Sequence, residues 1–509
     1  MPYSKSGAWS GKFAGMPDGD TLILVRLGAE LTIKSRRTRT AFLRRLTRNV
    51  QDALSSSGIE QRIELVWGRM FVRAQSQMAL PVLARVFGIS SLSWVEREVS
   101  ADLDTLIVTG AEHFRAAVAG RRFAVRARRT GRHAYTSQDV EVKLGAALYP
   151  YAAGVDLTDP EFTAYVEVRD DVAYLFSERT SGPGGLPVGV EGHAVALLSG
   201  GYDSAVAAWL LLKRGVALDY VFCNLGGDAY ERAVVQVAKV LADDWSYGTR
   251  PHLHAIDFGD VLRELREKTR PSYWQVVLKR LMYRAAAQVA AERSAEAVVT
   301  GEAIGQVSSQ TLTNLRSIEE ISPLPVLRPL IGADKEEIIA RARSIGTAAL
   351  SEQVREYCAI APGYPVTAAS ISRVDEEENK LDLTVLDRAV AQRKKLDLRA
   401  LTSSDLAAPY LFVDDIPERA VVIDCRPATQ FRAWHLKGAR HMEEWELLRD
   451  FRRMEKDRTY VLYCAHGIQT AYLAERMQRH GYEAYSFRGG LRGVMKYAQE
   501  RGLNLSLLR

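Results

Sequence analysis

The sequence predicts a multidomain α/β protein. It has an α+β N-terminal region, a doubly wound parallel-sheet domain, and a smaller α/β domain at the C-terminal end. Three observations carry this. From Ala194 to Ser344 short apolar runs alternate with helical periodicity, the pattern of parallel strands covered on both faces. Before that stretch, strands and helices occur as two α-plus-β units. After it, beyond a charged connector, short apolar runs return, each followed by a turn or Gly-containing loop. A chain of 509 residues has room for about three or four domains.

Composition narrows the class. The chain is 47% hydrophobic and 26% charged, normal for a protein with several cores, and its net charge is only +6. No apolar run approaches the roughly 18 residues of a membrane span. MPYSKSGAWSGKF at the start has no secretory apolar segment. The cysteines, Cys223, Cys358, Cys425 and Cys464, are scattered without a CxxC pair. That pattern fits a reducing compartment, here the cytoplasm. It argues against a structural zinc site and leaves room for a reactive thiol.

In chain order, Thr21–Gly28 reads as a strand. Lys34, Arg36, Arg37, Arg39, Arg44, Arg45 and Arg48 follow with no acid among them. Phe42, Leu43, Leu46, Val50 and Leu54 recur at helical spacing, which makes this an amphipathic helix with a basic outer face. Such a face is either simply solvated or turned to phosphates. Residues 62–73 alternate as strands, Leu80–Phe87 reads as a helix ended by Gly88–Ser90, and Val95–Val99 as a strand. Leu103–Ala119 is helical. The next strand carries Arg121, Arg122, Arg126, Arg128, Arg129 and Arg132. Ser137–Ala147 is a helix with Ser137 as its cap, then Ala164–Val168 and Val172–Ser177 are strands. Acid-poor basic stretches on two α-plus-β units read as a nucleic-acid platform.

Ser181–Gly192, with five glycines and two prolines, is a turn-rich junction. AVALLSGGYDS (Ala194–Ser204) then reads as buried strand, tight loop and helix start. Backbone N–H groups at such a corner favour an anion. The loop lacks GK[ST] and is not a Walker A loop. Strands Leu218–Cys223, Leu253–Asp257 and Ala297–Thr300 alternate with helices Arg232–Leu241, Gln275–Glu292 and Asp334–Ser344, the last capped by Asp334. Ligands of such sheets bind beyond the C-terminal strand ends. Val374–Leu398 reads as a helical connector. In the last domain VVIDCR, TYVLYC and AYSF are strands. Cys464 ends the second of these before a Gly loop and helix, where a thiolate is favoured. Cys425 and Cys223 read as packing. Cys358 is equally a spare core thiol or a reactive one.

S-G-G-x-D-S at Ser199–Ser204 resembles the pyrophosphate loop (PP-loop) of the ATP pyrophosphatases. D-C-R, H-x-x-G-A, Y-C-x-x-G and F-x-G-G together resemble a rhodanese domain. With TGEAIGQVSSQTLTNLR (300–316) and YTSQDVEVKLG (Tyr135–Gly145), the whole chain resembles the tRNA 4-thiouridine synthase family. The resemblance implies a ferredoxin-like N-terminal domain (1–65), a THUMP domain (66–180), a PP-loop domain (181–395) and a rhodanese domain (406–509). It implies that Leu197, Leu198, Ser199, Gly200, Gly201, Asp203, Ser204, Phe222, Lys279, Gly301 and Gln310 hold ATP. Phe222 would border the adenine, and Asp203 would serve the loop's geometry or its Mg2+. Read from the residues alone, Lys279 is a surface lysine. Cys464 would carry persulfide sulfur, with Cys358 as its redox partner and Asp203 as a further catalytic residue.

The implied reaction is adenylation of the uridine at position 8 of tRNA, followed by sulfur transfer. A cysteine desulfurase would donate the sulfur, and a cellular thiol reductant would reset the disulfide. Lys34, Arg36, Arg37, Arg39, Arg121, Arg122, Arg126, Arg128 and Arg129 are the candidates for gripping tRNA. Two rivals are sulfur delivery to the thiazole precursor of thiamine and an RNA-binding protein with decayed catalytic domains. Whether the chain forms a homodimer is left open by the sequence.

Overall fold

The computed structural model describes residues 21–503, apart from 67–68, 75, 77, 226, 353, 355–364, 403–404, 406–410 and 466. Cys358 therefore lies outside the described residues. The chain forms two compact units: Met1–Thr32 with Ile59–Ala84 and Ile89–Gly184, and Ile33–Gly58 with Arg85–Gly88 and Gly185–Arg509.

The first unit carries β1 (Thr21–Leu27), β2 (Gln61–Val66), β3 (Arg69–Ala74), β4 (Ile89–Val95), β5 (Arg97–Ser100), β6 (Arg122–Thr130), β7 (Gly154–Val155), β8 (Phe162–Arg169), β9 (Val172–Phe176) and β10 (Thr180–Ser181). They build two five-stranded sheets, ordered β10-β4-β1-β3-β2 and β5-β9-β8-β6-β7. The first sheet thus takes in residues on both sides of the expected 65/66 boundary. The helix between β1 and β2, α1 (Arg36–Ser56), belongs to the second unit. Helices α2 (Leu103–Val118) and α3 (Ser137–Leu148) cover the second sheet through Leu106, Phe114, Val140 and Leu144. Glu167 of β8 ties the two sheets together. Its carboxylate takes Arg26 of β1 and Arg69 of β3 at 3.0 Å each, and Arg169 at 2.6 Å. Burial raises its pKa, but the three guanidiniums outweigh that and hold it below the ordinary value.

The second unit holds a six-stranded sheet of β11 (His193–Leu197), β12 (Ala217–Asn224), β13 (His252–Asp257), β14 (Val298–Val299), β15 (Val326–Leu327) and β16 (Lys394–Asp397). The order is β15-β14-β11-β12-β13-β16, parallel except for the edge strand β16. Helices α4 (Tyr202–Lys213) and α5 (Gly227–Trp245) build one core layer, and α6 (Trp274–Glu292) the other. α7 (Lys335–Ile345) joins the first layer through Ile338 and Ala342. The fourth sheet is parallel, ordered β17-β21-β20-β18-β19, from β17 (Phe412–Val413), β18 (Val421–Asp424), β19 (Arg440–His441), β20 (Thr459–Tyr463) and β21 (Glu483–Phe487). With it come α8 (Glu444–Asp450), α9 (Ile468–Arg479) and α10 (Gly490–Glu500).

Four expectations change. The helix read over Leu80–Phe87 is only Ala79–Leu83, and Ile89–Val95 is already strand, pairing with β1. Glu96 then breaks β4 from β5. Thr136, not Ser137, caps α3: its hydroxyl accepts the Asp139 N–H while the Asp139 carboxylate accepts the Thr136 N–H. Val374–Leu398 is not a plain connector. It contributes to two short helices, Ile371–Glu378 and Thr384–Ala391, and to β16, which closes the sheet edge. The acids Asp375 and Glu378 in it serve the buried Arg280.

Candidate active site

β11 lies inside the six-stranded sheet, and its C-terminal end opens the loop to α4. Leu197 and Leu198 contribute backbone and packing: the Leu198 N–H donates to the Val221 carbonyl at 2.9 Å. Gly200 takes φ 79°, and a Cβ there would lie 3.0 Å from Val234 Cγ2. The positive φ favours glycine, and the Val234 contact leaves a side chain little room. The loop is closed by Ser204. Its hydroxyl accepts the Ser199 N–H at 3.2 Å and donates to the Gly201 carbonyl at 3.1 Å. Gly201 caps α4 and makes no side-chain capping bond, which leaves the positive helix end to an anion.

The stretch after β14 forms the second wall. A Cβ on Gly301 would stand 2.6 Å from the backbone N of Ser204 and 2.6 Å from the carbonyl carbon of Asp203. Two backbones touch there, so a side chain would drive them apart. Gln310 is buried; its side-chain oxygen accepts the Ala303 N–H at 3.4 Å and its carbonyl accepts the Gly305 N–H at 2.9 Å. It shapes this wall. Glu302, 2% exposed, is bound by Tyr283 at 2.5 Å, Arg328 at 3.0 Å and Thr300 at 3.1 Å. Lys279 Nζ lies 3.7 Å from its other oxygen. Burial pushes the Glu302 carboxyl up, yet Lys279, Tyr283 and Arg328 together hold it below its usual value. Lys279 therefore stands as a cation beside an ionised carboxylate, not as a plain surface lysine.

Phe222, expected to border the adenine, is 1% exposed, and its ring packs edge-on against Tyr230 at 4.8 Å. The Tyr230 hydroxyl in turn donates to the Ser199 carbonyl at 3.1 Å.

Asp203, in the first turn of α4, faces two groups that the sequence reading missed. Lys335 Nζ lies 3.0 Å from each carboxylate oxygen, and Gln306 donates to one of them at 3.2 Å. Lys335 is placed by a capping box, Asp334 with Glu337, at the start of α7. The sequence signal was present in that cap, but nothing local said that α7 would aim its first residue at the loop. Among the described residues no group of three or more His, Cys, Asp or Glu side chains could hold a metal ion.

Cys464 immediately follows β20 and is buried. Its sulfur accepts the Gly467 N–H at 3.2 Å and lies 3.5 Å from the Thr470 hydroxyl, which bonds Ser486 at 2.8 Å. Gly467, at φ 81°, caps α9. A sulfur at a helix N-terminus with an N–H aimed at it favours thiolate. The structure brings Ser199–Ser204, Gly301, Gln310 and Lys279 together around the C-terminal ends of β11 and β14, two inner strands of the six-stranded sheet. Cys464 stands in its own sheet.

The basic candidates divide. Arg36, Arg37, Arg39, Arg121, Arg126 and Arg128 are exposed. Lys34 stacks over Phe42 at 5.7 Å. Arg122 meets Asp156 at 2.9 Å, Arg126 donates to the Leu157 carbonyl, and Arg129 donates to the Gly131 carbonyl at 3.0 Å. Arg45, from the same basic run, turns inward to the Val188 carbonyl at 2.7 Å and the Gly248 carbonyl at 2.9 Å.

Comparison with known proteins agrees with this anatomy. Residues 22–93 match the ThiI ferredoxin-like domain, 102–178 the THUMP domain, 189–383 the family described as thiamine biosynthesis protein (ThiI), and 412–497 the rhodanese-like domain. A solved 4-thiouridine synthetase in complex with RNA and bound ATP is 31% identical, with a TM-score of 0.65 over 74% of this chain and 99% of its own. A tRNA sulfurtransferase of Pyrobaculum aerophilum is 37% identical over 94% of this chain and 99% of its own length. One from Desulfurococcus amylolyticus is 38% identical over 92% and 97%. Likeness of this extent spans all four regions, and the chain belongs to the tRNA sulfurtransferase family.

Proposed function

We propose that this chain carries out ATP-dependent thiolation of tRNA, activating a uridine at the C-terminal ends of β11 and β14 and supplying sulfur from Cys464. The observation that carries the reading is the joint between Gly301 and the Asp203–Ser204 backbone. It sets a helix end without a side-chain cap against a wall bearing Lys279, in a chain that also carries, in its last sheet, a thiol at a helix N-terminus. The Gly200–Gly201 loop and the start of α4 bind the pyrophosphate part of ATP. Lys279 and Lys335 offset its charge. A Mg2+ ion would be held mainly by the phosphates, with Asp203 as its protein ligand once Lys335 turns to phosphate.

The uridine at position 8 is the target. Transfer of AMP to its O4 turns a poor leaving oxygen into a good one. The outer sulfur of a Cys464 persulfide, loaded by a cysteine desulfurase, attacks C4 and displaces AMP. Cys358 then closes a disulfide with Cys464, which releases the thiolated base. A cellular thiol reductant returns both thiols. The exposed Arg36, Arg37, Arg39, Arg121 and Arg128 contact tRNA phosphates. No helix among the described residues is long and apolar enough to cross a membrane. A cytoplasmic site of action suits the thiol chemistry. The thiazole-precursor role is not favoured, since the relatives are named for tRNA. Mass spectrometry of digested tRNA, after incubation with ATP, Mg2+, cysteine and a desulfurase, tests the proposal. 4-Thiouridine at position 8 is expected, and its absence would sink the reading.

A further inference from the structure

Cys425 does not lie within a strand, as the sequence reading had it. It follows the last residue of β18, as Cys464 follows the last residue of β20. These strands are parallel neighbours in register, with Val421 opposite Tyr460 and Asp424 opposite Tyr463. The ladder continues one step further, because the Cys425 N–H donates to the Tyr463 carbonyl at 2.9 Å. The next pair in that register is Cys425 with Cys464. Side chains at matched positions share a face, and Ile423, Cys425, Leu462 and Cys464 all enter one apolar cluster. Neighbouring strands lie about 4.8 Å apart. That falls inside the roughly 4.4–6.8 Å Cα separation that a disulfide spans.

We propose that Cys425 is a second redox thiol, which closes a disulfide with Cys464 and expels undelivered sulfane sulfur as hydrosulfide. The sulfur-expelling step rests on the reading of Cys464 as a persulfide carrier; the disulfide itself does not. In that step the Cys425 sulfur bonds to Sγ of the Cys464 persulfide anion. The bond between Sγ and the outer sulfur breaks. The outer sulfur leaves with the bonding pair and takes the Cys425 proton, giving HS−. It is reduced by two electrons, which the two cysteine sulfurs supply on forming their bond, so no outside oxidant enters. A dithiol reductant restores both thiols. Burial, and then Cys464, Asp424 and Glu444, keep the Cys425 thiol protonated, its pKa well above the ordinary value. Closure is therefore slow, and the persulfide has time to reach its acceptor before it is discharged.

The test uses the full chain with Cys358→Ala, which removes the competing partner. The protein is loaded with cysteine and a desulfurase, freed of both, and followed by alkylation, peptide mass spectrometry and a sulfide assay. A linked Cys425–Cys464 peptide should accumulate as sulfide is released. Adding Cys425→Val should abolish the link and lengthen the persulfide lifetime roughly tenfold or more. Cys425→Ser serves as the second variant should valine unsettle the fold. In a parallel arm, unloaded protein treated with diamide should give the same linked peptide. Equal persulfide lifetimes with and without Cys425 would overturn the sulfur-expelling step. No linked peptide after diamide would overturn the disulfide. If no sulfur ever adds to Cys464, the carrier reading and the expulsion step fail together, and the diamide arm alone decides the disulfide.

Discussion

At the end of β11 the chain turns through Gly200, at φ 79°, into α4; at the end of β20 it turns through Gly467, at φ 81°, into α9. Both corners sit at the C-terminal ends of parallel strands and both present a helix N-terminus. They differ in what closes them. The first leaves Ser199 exposed and sets a salt bridge, Asp203–Lys335, beside the loop. The second buries Cys464 against Gly467 and Thr470. A polyphosphate needs room, cations and an open face. A single sulfur needs one N–H and protection from water. The same backbone device would suit both, because helix ends favour any anion; the surrounding side chains set the space each corner offers.

The largest expected effect is at the second corner. Cys464→Ala should lower tRNA thiolation by at least ~10³-fold while leaving ATP-dependent pyrophosphate release intact. Measuring both in one reaction separates the corners; a variant that keeps thiolating would erase the distinction. At the first corner, Gly301→Ala must push apart backbones that leave only 2.6 Å for a Cβ. We expect pyrophosphate release to fall to background and stability to drop by about 1–3 kcal/mol, read by denaturant titration. Lys335→Met should cut pyrophosphate release on the order of 10²-fold, with Lys335→Arg recovering part of it. An unchanged rate would make the Asp203 ion pair structural only.

A pH test bears on the wall behind that corner. Glu302 has a folded pKa below its unfolded value. Its contribution to stability is therefore full above the ordinary carboxylate pKa and is lost as pH falls toward the folded value. Glu302→Gln should be less stable at pH 7, by a few kcal/mol (~3), and should lose less on acidification. Parallel acid unfolding curves for the two proteins would refute this. The smallest effect concerns the RNA surface. Arg128→Ala should reduce the salt slope of tRNA binding by about 1. Arg122→Ala, whose charge already meets Asp156, should change it less.

Much of the active region was legible from sequence because it is local. The strand, the glycines and Ser204 of the first corner follow one another within a few residues, and so do Cys464 and Gly467. Lys335 was not legible. It lies on a helix whose cap could be read, but its approach to Asp203 spans over a hundred residues and depends on how α7 packs beside α4. The packing of the Phe222 ring against Tyr230 was not legible either, because a strand-end aromatic carries no local sign of which helix will cover it. Arg45 reads as one more surface cation, although it binds two backbone carbonyls.

The sequence by itself determined the order of domains, the parallel alternation, both glycine corners and the strand-end place of Cys464, since periodicity and turn chemistry are properties of neighbours in the chain. The tertiary structure alone decided which charges meet and which thiols stand together. Lys335 reaches Asp203 only across two helices, and Cys425 comes level with Cys464 only through the β18–β20 register. Pair energies depend on distance and burial, and both are set when separate elements pack.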